Sequence, residues 1–199
     1  MAKFTVLPRE FYLDPPDRVA RALLGKRLVR HLEGIRLAGR IVEAEAYFGF
    51  GDPAAHAFVG KTLRNEVLLG PPGFAYVYFV YGMHFCLNIS CEPEGQAGCV
   101  LLRALEPLEG LRNMARLRGL TSAAKPRLLA SGPGRLCQAL GIERETHNGI
   151  DVSSNRSGLH VEDDGFEPAE IVSLPRVGIS KAADRPLRFA IAGNPFVSG

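Results

Sequence analysis

The chain has 199 residues, 46% of them hydrophobic and 23% charged, which suits one globular domain, residues 1–199, that buries its own core. No apolar run approaches the roughly 20 residues of a membrane-spanning helix, and the first residues lack the apolar stretch of a signal peptide, so we predict a cytoplasmic protein. The four cysteines form no CxxC pair, which argues against a zinc site, and a disulfide framework would be unusual in a chain of this size, so we predict reduced thiols in the core.

The net charge is only +3, but the basic residues are concentrated in two runs. The first run comprises Arg18, Arg21, Lys26, Arg27, Arg30, Arg36 and Arg40. The second run, which contains no Asp or Glu, comprises Arg112, Arg116, Arg118, Lys125, Arg127 and Arg135. Basic stripes of this length suit a polyanion such as nucleic acid, whereas a solvated helix face is the commoner reason for any single run.

The first predicted elements are a helix and a β-hairpin. Apolar residues at helical spacing follow Asp17, a candidate N-cap, and stop at Gly25. Two predicted strands, 27–31 and 35–47, then flank a Glu-Gly pair that is typical of a hairpin turn.

The second strand of this hairpin carries an unusual set of side chains. Strict alternation places its small apolar residues on one face and four other side chains on the opposite face: Ile41, Glu43, Glu45 and Tyr47. Burying an ionised carboxylate costs several kcal/mol unless it is paired or hydrogen-bonded. A glycine-containing loop then leads to His56. The pattern indicates either an edge strand with a solvated acidic face or a site that combines carboxylates, an aromatic ring and an imidazole.

Three further strands follow a loop-rich stretch, residues 57–73. Residues 74–80 and 84–90 form a predicted antiparallel pair with Tyr81 at its tip. The next strand, 98–105, is apolar except for Arg103, which alternation places on one face with Cys99, Leu101 and Leu105. Because an arginine cannot lose its charge, this one needs an anionic partner, for which Glu43, Glu45 and a phosphate are the candidates.

The C-terminal half is predicted to add two helices and two strands. One helix begins at Glu106-Pro107 and ends at Gly119, and a shorter one covers 135–140 after Ser-Gly-Pro. Residues 141–168 are polar and predict loops. Strands over 171–179 and 187–192 complete the chain.

Several of these segments together resemble one family, the alkyladenine (3-methyladenine) DNA glycosylases of the mammalian type, which has many bacterial members. The matching segments are Arg-Ile-Val-Glu-Ala-Glu-Ala-Tyr (40–47), Ala-Ala-His (54–56), Thr-Leu-Arg-Asn (62–65), Tyr-Val-Tyr-Phe-Val-Tyr-Gly-Met (76–83), Cys-Leu-Asn-Ile-Ser (86–90), Val-Leu-Leu-Arg-Ala-Leu-Glu-Pro-Leu-Glu-Gly (100–110), Ser-Gly-Pro-Gly-Arg-Leu-Cys-Gln-Ala-Leu (131–140) and Arg-Val-Gly-Ile (176–179). They occur in the family's order and extend from about residue 10 to residue 198.

The resemblance implies a mixed α+β fold: a single compact domain with a curved, mostly antiparallel sheet flanked by helices. It implies a monofunctional glycosylase of base excision repair, which flips alkylated or deaminated purines out of double-stranded DNA and hydrolyses the N-glycosidic bond without strand cleavage. No cofactor and no metal are expected. The implied partner is damaged duplex DNA, bound by a monomer associated with the nucleoid.

The same resemblance assigns roles to individual residues. Tyr47, with His56 beside it, and Tyr78 would form the two walls of a slot for the base, and Asn88 would exclude normal guanine by a clash with its amino group. Glu45 would be the general base for the attacking water, assisted by Arg103 and by the backbone carbonyl of Val177. Glu43 is assigned to structure, as the partner of a basic residue.

Contacts with DNA are also implied. Tyr81 would be the wedge that fills the vacated base stack. The other implied DNA-binding residues are Met83, Leu101, Tyr76, Arg64 and Arg135. The chain departs from the family pattern at Leu68, His84 and Phe196, which leaves the preferred lesion open.

Two other functions compete with catalysis of base release. A DNA-binding module of related fold would bind damage without releasing a base, but would leave the expected pairing of Glu45 with Arg103 without a purpose. A metallohydrolase could use Glu43, Glu45, His56 and His84, but these residues lack the spacing of a standard metal site.

Overall fold

The computed structural model of the chain describes residues 4–80 and 82–198, and within those ranges it contains five short α-helices and nine strands. The helices are α1 (Pro16–Leu23), α2 (Leu111–Leu117), α3 (Arg127–Ala130), α4 (Pro133–Ala139) and α5 (Arg144–His147). The strands are β1 (Thr5–Val6), β2 (Arg27–Leu32), β3 (Ile35–Tyr47), β4 (Ala75–Val80), β5 (His84–Cys91), β6 (Gly98–Glu109), β7 (Leu159–Asp163), β8 (Ile171–Leu174) and β9 (Arg188–Ile191).

These strands form one antiparallel sheet in the order β1-β7-β2-β3-β6-β5-β4. Along one edge of β3, β2 pairs with the first half and β9 with the second half, and β8 pairs with β9. Helix α1 packs on β3 and α4 packs on β5, with the main core beneath them. The predicted mixed α+β class with an antiparallel sheet is confirmed, as is the burial of the four cysteines. No helix in the described ranges has the length and apolarity needed to cross a bilayer.

Two predicted helix starts are wrong. Helix α1 begins at Pro16 without a side-chain cap, so Asp17 lies inside its first turn. Strand β6 continues through Pro107, which pairs with Gly39 at a register shift, where a residue without an N–H is tolerated. The next helix begins only after Gly110, whose φ of 75° turns the chain out of the sheet.

Gly110→Ala should destabilise the fold. A Cβ at this position would meet Leu37 Cδ2 at 2.4 Å and the Arg36 carbonyl oxygen at 2.9 Å, and the left-handed backbone adds strain. We expect the free energy of unfolding to fall by about 1–3 kcal/mol, measured by urea denaturation. Gly119→Ala, which also has a left-handed φ but has open space around it, is the matched control for the clash. Equal losses in the two variants would show that the contact with Leu37 is unimportant.

The alternation of β3 and β6 is interrupted where the two strands meet. Ile41 pairs with Leu105 and Ala44 pairs with Leu102, whereas between them Glu43 pairs with Ala104, so Val42 and Arg103 are left out of the ladder. Such a bulge re-aims side chains. Ile41 and Leu105 consequently lie in the main core, and the prediction that groups them with the glutamates and Arg103 is wrong.

Residues 141–168, predicted as loops, include strand β7, and acids in and beside this strand, together with Glu109 of β6, pair with four residues of the first basic run. Lys26 Nζ lies 3.0 Å from Asp163, and Arg40 forms a two-pronged pair with Asp164 at 2.9 and 3.1 Å. Two further arginines of that run contact acids as well: Arg27 pairs with Glu109 and Glu162, as does Arg36. The expectation that this run faces a polyanion is therefore wrong for these four residues.

The second basic run differs, because most of it is exposed. Its exposed members are Arg112, Arg116, Lys125, Arg127 and Arg135. Among the described residues none of these five is within 4.0 Å of a carboxylate oxygen. This surface keeps its positive charge.

Candidate active site

A cavity of about 420 Å³ opens where β3 ends, beside β4, β5 and β6. The strands contribute aromatic and polar side chains to it, and the loops at 54–68 and 177–179 and the start of α4 complete its walls. The cavity brings together nine of the residues singled out from the sequence: Tyr47, His56, Arg64, Tyr76, Tyr78, Asn88, Leu101, Arg103 and Val177.

Glu45 lies behind the cavity wall and is fully buried. Its Oε1 accepts a hydrogen bond from the backbone N–H of Val177 at 2.8 Å and lies 3.2 Å from an Arg103 guanidinium nitrogen. Its Oε2 accepts from the Tyr47 hydroxyl at 2.9 Å. Burial and the neighbouring carboxylate raise the pKa of Tyr47 well above its usual value, so the hydroxyl keeps the proton that it donates. Val177 therefore contacts Glu45 through its backbone N–H, whereas the role predicted for Val177 uses its backbone carbonyl.

Glu43 is the structural neighbour of Glu45. It is fully buried and accepts from Arg103 Nε and from Arg188, both at 3.0 Å, and from the amide of Ser198 at 2.7 Å. Burial opposes the charge of Arg103, but the two carboxylates outweigh it and raise its pKa. The predicted pairing of Arg103 with the glutamates is confirmed, and Glu43 has the basic partners expected of a structural residue.

The position of His56 among the aromatic side chains differs from the predicted position beside Tyr47. Its ring packs edge-on against Tyr78, with centroids 4.5 Å apart at 74°, and its Nδ1 lies 2.9 Å from the Tyr76 hydroxyl. His56 therefore belongs to the wall of Tyr76 and Tyr78 rather than to that of Tyr47. The guanidinium of Arg64 lies 5.5 Å from the centre of the Tyr78 ring on the same side of the site.

His56 is neutral at physiological pH. Burial, assisted by the charge of Arg64, lowers the pKa of His56 to about 4. Burial likewise raises the pKa of Tyr76 to about 12, so the hydrogen bond between the two side chains joins uncharged partners. The cavity consequently presents an uncharged imidazole to whatever it binds.

The stability of the protein should fall as pH is lowered from 6.5 to 4, in part because of His56. The unfolded chain binds a proton near pH 6.5 and the folded state only near pH 4, so within this window protonation favours unfolding. Because the ring is partly exposed and solvent weakens the effect, we expect the free energy of unfolding to fall by about 2 kcal/mol between pH 7 and pH 4. Urea denaturation of the native protein and of His56→Gln across this range would isolate the contribution. If the two pH dependences are the same, His56 is not held neutral.

Asn88 forms part of the cavity floor and has a fixed orientation. Its amide donates to the backbone carbonyl of Tyr76 at 3.2 Å, and its Oδ1 faces the Cys99 thiol at 4.0 Å. The side chain is 3% exposed. A buried amide held at both ends cannot easily turn to suit a ligand.

The residues expected to contact DNA fall into three groups. Leu101 and Tyr76 are buried and form cavity wall, and Arg64 lines the cavity mouth. Met83, 70% exposed, and Arg135 are on the surface. Tyr81 lies outside the described residues. Of the three departures from the family pattern, Leu68 and His84 line the cavity, whereas Phe196 packs against the main core.

Two supporting residues were not found from the sequence. Asn65 is buried, and its amide donates to the carbonyls of His56 and Gly60 and accepts from the N–H of Thr62, so it holds the loop that carries His56. Arg176 is buried beside Asp52. It follows strand β8, which ends at Leu174, so the predicted strand over 171–179 is too long. A charged residue inside a predicted strand was the available signal for Arg176.

The described residues contain no group of three or more His, Cys, Asp or Glu side chains that could hold a metal ion. Glu43 and Glu45, two of the four ligands considered for a metallohydrolase, direct their oxygens to arginines and to backbone amides. The geometry gives that alternative no support.

Comparison with known proteins gives a consistent result. Residues 10–195 match a family model described as methylpurine-DNA glycosylase. A protein of Koribacter versatilis is 55% identical over 199 residues, which cover 100% of this chain and 96% of that protein. A protein of Methanocella arvoryzae is 50% identical over 97% of this chain and 96% of its own length, and one of Burkholderia cenocepacia is 46% identical over 98% and 92%. All three carry the name "Putative 3-methyladenine DNA glycosylase".

Proposed function

The chain belongs to the methylpurine-DNA glycosylase family, and from that membership we propose how its cavity acts on a damaged purine. The protein is a DNA glycosylase, so DNA is its macromolecular partner. We assign it the substrate class that its relatives' names print, 3-methyladenine, together with other alkylated or deaminated purines. A single chain would act on duplex DNA and leave an abasic site.

The observation that carries this proposal is a buried carboxylate behind the wall of an aromatic cavity. A purine inside a duplex cannot reach Glu45, so the nucleotide must be extruded at a cost of a few kcal/mol. Tyr47 and Tyr78 would stack on the extruded base, and stacking on aromatic rings contributes about 1–3 kcal/mol per base. Tyr81 would fill the vacated stack, a role that rests on the resemblance alone.

Glu45 would act as the general base. It takes a proton from the attacking water as the oxygen bonds to C1′ of the sugar, and the electron pair of the N-glycosidic bond leaves with the purine. A carboxylate near the sugar also stabilises its developing positive charge. Arg103, Tyr47 and the amide of Val177 fix the carboxylate, and Arg103 would also approach a phosphate of the flipped nucleotide.

The lining of the cavity also supports a proposal on selectivity between bases. The Asn88 amide would oppose the exocyclic amino group of normal guanine, because two donors meet there. A base that already carries a positive charge needs no protonation to leave, so its release would not depend on an acid, and the neutral His56 would supply none. No lysine lines the described cavity wall, so no Schiff base with the sugar is expected and the reaction would stop at the abasic site.

Duplex oligonucleotides that carry 7-methylguanine, a 3-methyladenine analogue, hypoxanthine or ethenoadenine, one lesion each, would test this function. We expect base release without strand cleavage, at the same rate with and without EDTA. Loss of activity in EDTA would revive a metal-dependent mechanism. Tight binding without release from any lesion would instead indicate a non-catalytic damage-binding protein.

The exposed second basic run is the proposed surface for searching undamaged DNA. It is defined here by Arg112, Arg116, Lys125, Arg127 and Arg135. Because phosphate contacts release counterions, the affinity for an undamaged duplex should fall about 10-fold or more between 50 and 200 mM salt. Replacement of Arg112 and Arg116 by Gln should reduce the slope of log affinity against log salt, and an unchanged slope would exclude this surface.

A further inference from the structure

Arg176 lies at a junction of three chain segments around the cavity. Its guanidinium forms a two-pronged pair with Asp52, at 2.9 Å for one of the two bonds, and donates to the carbonyl of Ala46 at 3.0 Å. The same guanidinium lies over the Tyr47 ring, 4.6 Å from its centre. The side chains of both Arg176 and Asp52 are completely buried.

Each partner of Arg176 controls a different part of the site. Ala46 O belongs to the end of β3, directly before Tyr47. Asp52 accepts from the amides of Phe48 and Ala54, so it shapes the loop that leads to His56. The residue after Arg176 is Val177, whose amide binds Glu45.

The segment that carries Arg176 is held on both sides. Arg188 donates to the carbonyl of Pro175 at 2.8 Å and also binds Glu43. Three consecutive residues, 175–177, are thus each tied to strand β3, to strand β9 or to the loop after β3. A shift of this segment would move Tyr47 and the Val177 amide away from Glu45 together.

The charge of Arg176 has a second consequence. Tyr47 lines the cavity and Arg176 does not, so the guanidinium covers the face of the ring that is turned away from the cavity. The negative π face of an aromatic ring attracts a cation. A cationic base stacked on the opposite face would compete with Arg176 for the same π electrons, whereas a neutral base would not.

We propose that Arg176, paired with Asp52, is a positioning residue for Tyr47 and Val177, and that its charge biases the cavity towards neutral rather than cationic damaged bases. The inference rests on the proposed function. It adds a specificity determinant that does not touch the base.

The test compares two matched pairs of substitutions. The first is Arg176→Met with Asp52→Asn, which removes both charges and so avoids leaving one of them buried alone. The control is Arg40→Met with Asp164→Asn, because Arg40 also forms a two-pronged ion pair, binds a backbone carbonyl and lies over an aromatic ring, Phe166, outside the cavity. A third variant, Arg176→Lys, keeps the positive charge but loses the planar guanidinium that forms two hydrogen bonds with Asp52.

Single-turnover release of 7-methylguanine, which is cationic, and of hypoxanthine, which is neutral, would be measured together with affinity for an undamaged duplex. We expect the Arg176 pair variant to release hypoxanthine about 10²-fold more slowly than the native protein, with unchanged affinity, since small misplacements have effects of that size. The ratio of 7-methylguanine to hypoxanthine release should rise about three- to fivefold, and Arg176→Lys should keep the native ratio. The Arg40 pair variant should match the native protein in rate and ratio.

Native rates in the Arg176 pair variant, or equal losses in the two pair variants, would overturn the inference while leaving the proposed function intact. A slow variant with an unchanged ratio would overturn the role of the charge. A native protein that releases some of the four lesions named above but no hypoxanthine would overturn the inference alone, whereas a native protein that releases none of them would overturn the proposed function and the inference with it.

Discussion

Glu45→Gln is expected to slow base release by about 10²–10⁴-fold, because a general base contributes that much and an amide cannot take the proton of the attacking water. The substitution keeps the shape of the side chain and an oxygen that can accept from the Val177 amide. Affinity for a duplex with a lesion should therefore persist. Single-turnover release and equilibrium binding on the same oligonucleotide would be measured side by side.

Glu43→Gln is the control that the chain itself offers. Glu43 is on the same strand, is equally buried and contacts the same arginine, but its remaining contacts are with Arg188 and the Ser198 amide. This variant should lose thermal stability, because a buried pair is weakened, and retain most of the base release. If Glu43→Gln abolishes release and Glu45→Gln does not, the two carboxylates have been assigned the wrong way round.

The distinction between the two glutamates shows what the sequence can and cannot predict. Alternation correctly places both on one face, and the two hairpins and the antiparallel sheet also follow from local patterns. It cannot reveal the bulge at Val42 and Arg103, which sends Ile41 and Leu105 into the core. A bulge depends on the pairing of two distant strands, and neither strand carries a local signal for it.

Long-range pairing explains the other differences as well. The first basic run looks like a surface for a polyanion until β7, a strand without a clear local pattern, brings Asp163 and Asp164 beside Lys26 and Arg40. Pro107 suggests a helix start, but pairing with β3 keeps it in a strand. The Arg176–Asp52 pair joins residues 124 positions apart, and the placement of His56 against Tyr78 depends on the loop that Asn65 holds. Charged residues and turn residues predict local structure, but the residues with which they pair are set by contacts between distant parts of the chain.

Arg103→Met is expected to have the largest effect on stability. Arg103 is the cation shared by two fully buried carboxylates, Glu43 and Glu45, and its removal leaves Glu45 with hydrogen bonds but without a cation within 4.0 Å among the described residues. Removal of one partner from a buried ion pair costs about 3–5 kcal/mol, because the remaining charge stays desolvated. The free energy of unfolding from urea denaturation at pH 7.5 should fall by that amount, and base release should fall with it.

A double-mutant cycle separates this charge effect from lost packing. Arg103→Met combined with Glu45→Gln removes the unpaired charge along with the cation, so the double variant should recover much of the stability that Arg103→Met loses, whereas base release should remain slow. Arg103→Met combined with Glu43→Gln leaves Glu45 charged and should recover less, because Glu43 still has Arg188 as a partner in the single variant. Equal recovery in the two double variants would mean that Arg103 does not discriminate between the carboxylates. If neither double variant recovers stability, the contribution of Arg103 would be packing rather than the fixing of the Glu45 carboxylate.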